Sequence, residues 1–425
     1  MRLHDLLDVI FRWAHLIAGI MWVGNSMLFN WLDRNLEKTS DLSKLSQGKI
    51  FMVHSGAFYD VEKKLLAPGE MPERLHWFKW QNFTTWATGI SLFVLVYYMN
   101  NASGLVDPSV HDVDVSVAVT LSVSALFVGW LIYDALWRTL GESNPRLATI
   151  TSIAGLFTAI FAFSQIFGGK AAYMQTGVLI GTVMTGNVWF CIVPSQHELV
   201  NATKEGREQN PKPSIRAKQR SVHNNYLTFP LLFIMLSNHF GAATSHPLNW
   251  LILILVMIGG AGIRHFMNIR YRGGGLELPR AAWLAPAIAC GAFAIAGLMI
   301  VTRIDARHVV DADAPVAFAR VQEIIANRCV TCHSAKPSDD VFTAPPANVM
   351  FDSPRAIQLM ASQIRARAVE QQNMPFNNKT GMTAKERGEL KRWIDDGAQV
   401  PAQPERAAAP KGGAEVDAQL AAPPK

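Results

Sequence analysis

The chain has 425 residues, of which half are hydrophobic and only 17% are charged. It contains 12 Trp and 22 Phe, a composition that is typical of lipid-facing helices with aromatic residues at the membrane interfaces. The net charge of +6 does not indicate nucleic-acid binding, because the basic residues concentrate in a few loops between apolar runs. We therefore expect membrane lipid, and no nucleic acid, as a partner.

Apolar runs long enough to cross a bilayer occur eight times, given that a spanning helix needs about 20 predominantly apolar residues. These runs cover residues 9–32, 82–99, 115–136, 147–167, 172–193, 226–244, 248–268 and 281–302. An even number of crossings places both chain ends on one side of the membrane. We predict an all-α fold, with an eight-helix transmembrane bundle over residues 1–302.

The connecting loops indicate which side that is, because cytoplasmic loops carry an excess of Lys and Arg. Segments 33–81 and 194–225 contain eight and six basic residues, whereas segment 100–114 contains three aspartates and no Lys or Arg. Segment 241–249 contains none of the four charged residue types. We predict a bacterial-type inner-membrane protein with both termini on the periplasmic side.

The sequence CVTCH at residues 329–333 is the attachment pattern of a c-type haem. The thiols of Cys329 and Cys332 would each add to one vinyl group of the haem, and His333 would bind the iron. The alternatives are a chance match and a zinc half-site, but no second Cys/His pair at zinc spacing lies nearby in the sequence. Covalent haem attachment generally takes place outside the cytoplasm, which agrees with the charge pattern of the loops.

The composition changes after the last apolar run. Residues 303–314 form a short polar linker, and residues 315–400 have the length of a small cytochrome domain. From residue 401 onward Ala, Pro, Gly and Lys dominate. We predict that residues 401–425 are a disordered tail.

Two helices are predicted at the ends of the small C-terminal domain. A helix that begins near Pro315 would place Phe318, Val321 and Ile324 on one face and lead directly into the haem motif. The sequence TAKE at residues 383–386 predicts a capping box that opens a terminal helix.

A haem that only transfers electrons needs a second axial ligand, and we predict that this ligand is Met374. A thioether is a soft ligand that raises the potential of haem iron, and Pro375 follows directly. The alternatives are Met350 and Met382, which lack the following proline, and Met360, which has the spacing of a helix-face residue. The order of first helix, haem motif, Met-Pro pair and last helix resembles class I cytochromes c. The resemblance implies one covalent haem c in a small all-α domain.

Polar residues interrupt the first apolar run. Arg12, His15, Trp22 and Ser26 recur at helical spacing, with Asn25 beside them. A polar stripe that faces lipid is costly, so we expect it to face the bundle interior or a wet cavity. The alternatives are that Arg12 extends to the outer surface and that His15 bonds a neighbouring helix.

Three segments of the membrane part, together with the haem motif, resemble the membrane-bound urate hydroxylases, also called urate oxidases. The segments are GIMWVGNS at 19–26, FMVHSGAFYDVEKK at 51–64 and NVWF at 187–190. That family is described as an eight-helix domain fused to a C-terminal cytochrome c. The resemblance implies oxidation of urate to 5-hydroxyisourate in purine catabolism. Electrons would pass through the haem to a respiratory acceptor, such as a soluble cytochrome c or a terminal oxidase.

Hydroxylation of urate removes two electrons and two protons and adds water, so the site needs a base and hydrogen-bond donors. As hypotheses, His15 or His54 accepts a proton, and Arg12, Asn25 and Asn187 orient the substrate. The two histidines are predicted to lie at different depths of the membrane. They would share one site only if the loop that carries His54 folded deeply inward.

The haem motif is predicted on the outer side, across a hydrocarbon core of ~30 Å from substrate made in the cytoplasm. One solution is a second redox group, and His15 and His239 are the candidate ligands of a b-type haem in the outer half. Two other functions stay open. The chain could be a quinol-oxidising or generic electron-transfer subunit, or a transporter or redox sensor with a haem domain.

The predicted orientation is testable with reporter fusions. Alkaline phosphatase needs an oxidising compartment to form its disulfides, so a fusion after Lys425 is expected to be active in living cells. A fusion after Lys79, in the predicted cytoplasmic loop, is expected to be inactive. Phosphatase activity normalised to the amount of fusion protein measures both, and the reverse pattern would contradict the predicted orientation.

Overall fold

The computed structural model describes residues 3–38, 45–67, 69–99, 102, 104–108, 110–272, 276–277, 279–303, 312, 314–342 and 344–401. The described chain is mostly helical. Eight main helices precede the C-terminal part: α1 (Leu3–Asn35), α2 (Trp80–Phe93), α3 (Val115–Arg138), α4 (Pro145–Ile166), α5 (Gly169–Glu205), α6 (Pro211–Leu236), α7 (Asn249–Ile269) and α8 (Arg280–Arg303). Short π-helical segments continue α2 at Val94–Tyr98 and lie within α5 at Val188–Ile192.

Within the described ranges, six helices are long and apolar enough to cross a membrane, namely α1, α3, α4, α5, α7 and α8. The remaining two predicted spans, 82–99 and 226–244, do not coincide with single helices. The run 82–99 covers most of α2 and its π-helical continuation, and the run 226–244 overlaps only the second half of α6. Because α6 begins with a basic, polar half, it is less apolar as a whole than its final turns. The count of eight spans stays a prediction.

The all-α prediction is wrong for the loop after α1. Strands β1 (Ser46–His54) and β2 (Ala57–Lys64) form an antiparallel hairpin in which Val53 faces Phe58. The turn consists of Ser55 and Gly56, which both have positive φ, as tight hairpin turns require. Aromatic and β-branched residues on both sides of this turn favour strands. Two-residue strands β3 (Tyr271–Arg272) and β4 (Leu276–Glu277) form a second, smaller ladder.

Helix α5 is the central element of the membrane part. Within its apolar window 61% of the residues are buried, against 6% for α1. Glycines on α5 allow this close packing, since a methyl group at Gly186 would collide with the indole of Trp130. Large apolar side chains of neighbouring helices, such as Phe163 on α4 and Ile234 on α6, complete the buried clusters around α5. Helices α1 and α2 pack mainly on each other, at the edge of this core.

The C-terminal part (residues 314–401) has its own apolar core between helices α9 (Phe318–Arg328) and α10 (Ala384–Asp395). Val321 and Ile324 are buried in it, as the predicted helix face requires, and they meet Trp393 of α10. Shorter helices at Pro354–Leu359 and Ala361–Ile364 close the core. Most of the predicted linker 303–314 and the predicted tail from residue 402 lie outside the described residues.

The predicted capping box at the start of α10 is confirmed. The Thr383 hydroxyl accepts from the Glu386 backbone N–H at 3.2 Å, and the Glu386 carboxylate accepts from the Thr383 backbone N–H at 2.7 Å. Two backbone donors that the helix cannot satisfy internally therefore have partners.

Replacing Thr383→Ala is expected to destabilise α10 by about 1 kcal/mol, because one backbone donor loses its acceptor. Hydrogen exchange of the full-length protein, followed by mass spectrometry, should show amides of α10 exchanging about fivefold faster. Lys385→Ala, at an exposed position of the same helix, is the matched control and should change little. Equal exchange in the two variants would contradict the capping role.

Candidate functional site

The backbone and ring of His333 are held in place by two main-chain carbonyls. Its own N–H donates to the Cys329 carbonyl at 2.8 Å, in a tight turn that follows α9. The Nδ1 atom lies 3.0 Å from the Val349 carbonyl oxygen. A carbonyl oxygen only accepts, so Nδ1 carries the proton and Nε2 keeps its lone pair for a metal. Metal-ligating histidines are commonly oriented in this way.

Cys329 and Cys332 are half-buried free thiols at the start of the same turn. Burial raises the pKa of the Cys329 thiol to about 12, and burial together with Asp339 raises that of Cys332 to about 11. Among the described residues, no group of three or more His, Cys, Asp or Glu side chains could hold a metal ion.

The four methionines that were candidates for the second axial ligand differ in their packing. Met382 is buried in the apolar core of the C-terminal part, and Met360 packs against that core, so both have structural roles. Met350 directly follows Val349, whose carbonyl contacts the back of His333. A second axial ligand must approach the iron from the opposite side. Met374 is half-buried and is not a member of the described core cluster.

The segment after the Met-Pro pair contacts the membrane part. The Asn377 side-chain amide donates to the carbonyl oxygens of Gly104 at 3.1 Å and Val106 at 3.3 Å. The Lys170 ammonium, at the start of α5, lies 5.7 Å from the ring centre of Phe376. Both contacts lie at the same end of the bundle. The segment that carries Met374 therefore packs against this end of the bundle.

His15 lies between α1 and α2, and it is held there by α2. Its Nδ1 lies 2.9 Å from the Thr85 carbonyl oxygen and 3.2 Å from the Thr88 hydroxyl. The ring packs directly over Gly89, where any side chain would collide with it. The alternative that His15 bonds a neighbouring helix is therefore what the structure shows. Its Nε2 remains available as an acceptor.

Arg12 and His54 both have exposed side chains. The Arg12 guanidinium is mostly exposed and pairs with Asp8 at 2.7 Å, one helical turn away. His54 is exposed at the tip of the β1–β2 hairpin. The tip is about 25 Å from the base of the hairpin, given the rise of a strand. The structure does not bring Arg12, His15 and His54 together.

Asn187 is buried in a closed hydrogen-bond network between α3, α5 and α6. Its amide donates to the Tyr133 hydroxyl at 3.0 Å and to the Asn224 side-chain oxygen at 2.9 Å. The Tyr133 hydroxyl also lies 2.7 Å from His223 Nδ1. Beside this network Arg220 pairs with Asp134 at 2.9 Å. Because its donors are engaged by protein groups, Asn187 connects helices in this structure.

Asn25 lines a cavity of about 550 Å³ between α1, the end of β2, the segment before α2, and the second half of α5. Four aromatic side chains contribute to its wall, namely Trp22, Phe29, Trp77 and Phe78. The polar and charged lining residues are Asn25, Ser26, Lys64, His76, Gln81, Gln196 and Thr203. Of the residues predicted to bind substrate, only Asn25 reaches this cavity.

The cavity lies far from the C-terminal part. Lys170 meets that part at the beginning of α5, and Gln196 lines the cavity 26 residues further along the same helix. At 1.5 Å per residue this separation is about 40 Å. The cavity therefore lies at the end of the bundle that carries the Lys- and Arg-rich loops, opposite the predicted haem site.

The sequence analysis did not identify Gln81, Gln196 or His76. The side-chain oxygen of Gln81 is buried and has no hydrogen-bond partner among the described residues. A buried acceptor left in this state costs about 1–3 kcal/mol. The available signal was the alternation of aromatic and polar residues in LHWFKWQNF at 75–83, which is unusual for a solvated linker.

Comparison with known proteins identifies the membrane part. No curated protein and no solved structure matches the chain. A family model described as Urate oxidase N-terminal matches residues 1–300. This region contains the bundle, the hairpin and the cavity, and it ends before the haem motif. Since the match covers well over half of the sequence, the chain belongs to the Urate oxidase N-terminal family.

Proposed function

We propose that this protein is a membrane-bound oxidoreductase that oxidises urate to 5-hydroxyisourate in purine catabolism and passes the electrons to a covalent c-type haem. The observation that carries the proposal is the family match over residues 1–300, joined in one chain to the CVTCH motif at 329–333. A urate-oxidising unit needs an electron acceptor, and a c-type haem is one.

The reaction balances with water as the oxygen donor. A bond forms between carbon 5 of urate and the oxygen of water, two protons are released, and two electrons leave the purine. The protein must therefore bind the anionic ring, accept protons and remove electrons. His15, with Nε2 available as an acceptor, and His76, in the cavity wall, are the candidate proton acceptors.

The residues around the CVTCH turn fit a covalent haem. Cys329 and Cys332 would hold it, His333 would bind the iron through Nε2, and Met374 would approach from the other side. Such a haem would accept electrons one at a time and pass them to a respiratory acceptor, such as a soluble cytochrome c or a terminal oxidase. With His333 and Met374 as its protein ligands, this group would serve electron transfer, and urate would bind elsewhere in the chain.

A second candidate is an electron-transfer subunit that oxidises quinol. The observation that favours it is the separation of about 40 Å along α5 between the cavity and the C-terminal part, which a redox reaction in the cavity would have to bridge. A b-type haem held by His15 and His239 is one proposed bridge. A pyridine haemochrome spectrum that shows only c-type haem would exclude it.

Anaerobic mixing tests the proposed activity directly. Urate added to the purified, oxidised protein in lipid nanodiscs is expected to reduce the haem. About two haem groups should be reduced per urate oxidised, since each iron takes one electron. Loss of urate is measured by chromatography and haem reduction by absorbance.

Quinol is the control reductant in the same experiment. Reduction by quinol alone would support the electron-transfer subunit instead. Reduction by neither compound would favour a transporter or a redox sensor.

Replacing Met374→Leu should leave the haem covalently attached, because both thioether bonds and His333 remain. The haem potential should fall, since thioether ligation raises it. Redox titration measures the potential, and haem staining of a denaturing gel measures attachment. Met360→Leu, at the edge of the C-terminal core, is the matched control. An unchanged potential in Met374→Leu would remove this residue as the ligand.

A further inference from the structure

We propose that the cavity lined by Asn25, Gln81 and Gln196 is the substrate-binding site and that it selects a planar, anionic purine with ring N–H groups. This inference rests on the proposed urate oxidation and gives that reaction a binding site. The cavity volume of about 550 Å³ falls within the range that is typical of sites for small molecules.

The aromatic wall suits a flat ring. Trp22 of α1 and Trp77 before α2 both line the cavity, and aromatic faces stack on heteroaromatic rings of any substitution pattern. Trp77 is held in position by His197, which stacks on it with ring centres 4.6 Å apart, and by the Lys79 ammonium, 5.3 Å from its ring. The wall is therefore ordered before a ligand arrives, which lowers the entropic cost of binding.

The carboxamides suit the edge of a purine. The buried Gln81 side-chain oxygen has no partner in the described part of the chain, and an N–H group of the ligand would give it one. Asn25 and Gln196 place two further carboxamides in the lining. Each carboxamide can donate and accept, as ring N–H and C=O groups require. A site built in this way rejects rings that leave its polar groups unpaired.

The charge of the cavity favours an anion. Lys64 is its one Lys or Arg side chain, and no Asp or Glu lines it within the described ranges. The neighbouring lysines of the hairpin are engaged, since Lys49 pairs with Asp60 and Lys63 with Asp33, each at 2.7 Å. For Lys64 no acidic partner is present among the residues that the structure covers. Its charge is available to a ligand at the cavity mouth.

The position of the cavity determines where substrate enters. It lies at the end of the bundle that carries the basic loops, which is the predicted cytoplasmic side. Substrate recognition and electron release therefore occur at opposite ends of α5. Either the ligand moves from the cavity toward the predicted haem site, or a further electron carrier lies between the two.

Binding is tested without turnover by reducing the haem of the full-length protein first. Urate affinity is then measured by calorimetry in nanodiscs. Gln81→Leu and Lys64→Met are each expected to weaken urate binding about tenfold or more, because each removes a polar contact to the ligand. Lys64→Met should affect neutral hypoxanthine much less, because only the anion loses a charge partner.

Matched controls are Gln165→Leu, a carboxamide on α4 that does not line the cavity, and Lys63→Met, one residue from Lys64 but paired with Asp33. Both should retain the wild-type affinity for urate. Should Gln81→Leu fail to fold, Lys64→Met decides alone, because Lys64 is exposed at the end of β2.

The outcomes separate this inference from the proposed function. Wild-type affinity in both cavity variants, with urate still reducing the wild-type haem, would overturn the binding site and leave the activity standing. Failure of the wild-type protein to bind urate would overturn both, whereas urate binding without haem reduction would overturn only the proposed oxidation. Weaker urate binding in the cavity variants, with unchanged controls, supports the site.

Discussion

Burying a polar side chain among apolar helices is costly unless the side chain has a hydrogen-bond partner, and several positions of the bundle meet this constraint. His15 bonds the backbone of α2 through Thr85, and Asn187 bonds Tyr133 and Asn224. These residues are satisfied by other helices and hold the bundle together. The exception at the cavity is Gln81, whose side-chain oxygen lacks a partner among the described residues.

Helix α5 connects the C-terminal part to the cavity. Its first residues meet the C-terminal part through Lys170, and its last turns line the cavity through Gln196 and Thr203. Because it is the most buried of the six apolar helices, its neighbours hold it in place along most of its length. The two ends are therefore kept at a fixed separation.

The C-terminal part was largely predictable because its signals are local. The capping box spans four residues, and the apolar face of α9 spans two helical turns, so both can be recognised from spacing alone. The β1–β2 hairpin was missed although the signal was present. Strand-forming residues flank Ser55 and Gly56, but the same run has the aromatic character of a membrane-interface loop. Composition alone does not distinguish these two structures.

The cavity was not predictable for a different reason. Asn25, Gln81 and Gln196 come from three separate helices, and no short sequence pattern connects them. The polar stripe of α1 was predicted to face the bundle interior or a wet cavity. Its lower part does so through Trp22 and Ser26, whereas Arg12 pairs with Asp8 in an exposed position. Which polar residues of a helix line a cavity depends on how the neighbouring helices pack. The sequence of α1 alone therefore could not show which of its polar residues do so.

The contact between Asn377 and the loop at 104–106 involves one neutral amide and two main-chain carbonyls. Salt screens interactions between charges but has little effect on a hydrogen bond between neutral groups. This hydrogen-bonded contact can therefore tolerate wide variation in ionic strength. An exchangeable partner that docks only through surface charges would be more sensitive to salt, so attachment in one chain, with neutral hydrogen bonds at the junction, makes docking of the C-terminal part less dependent on electrostatic steering.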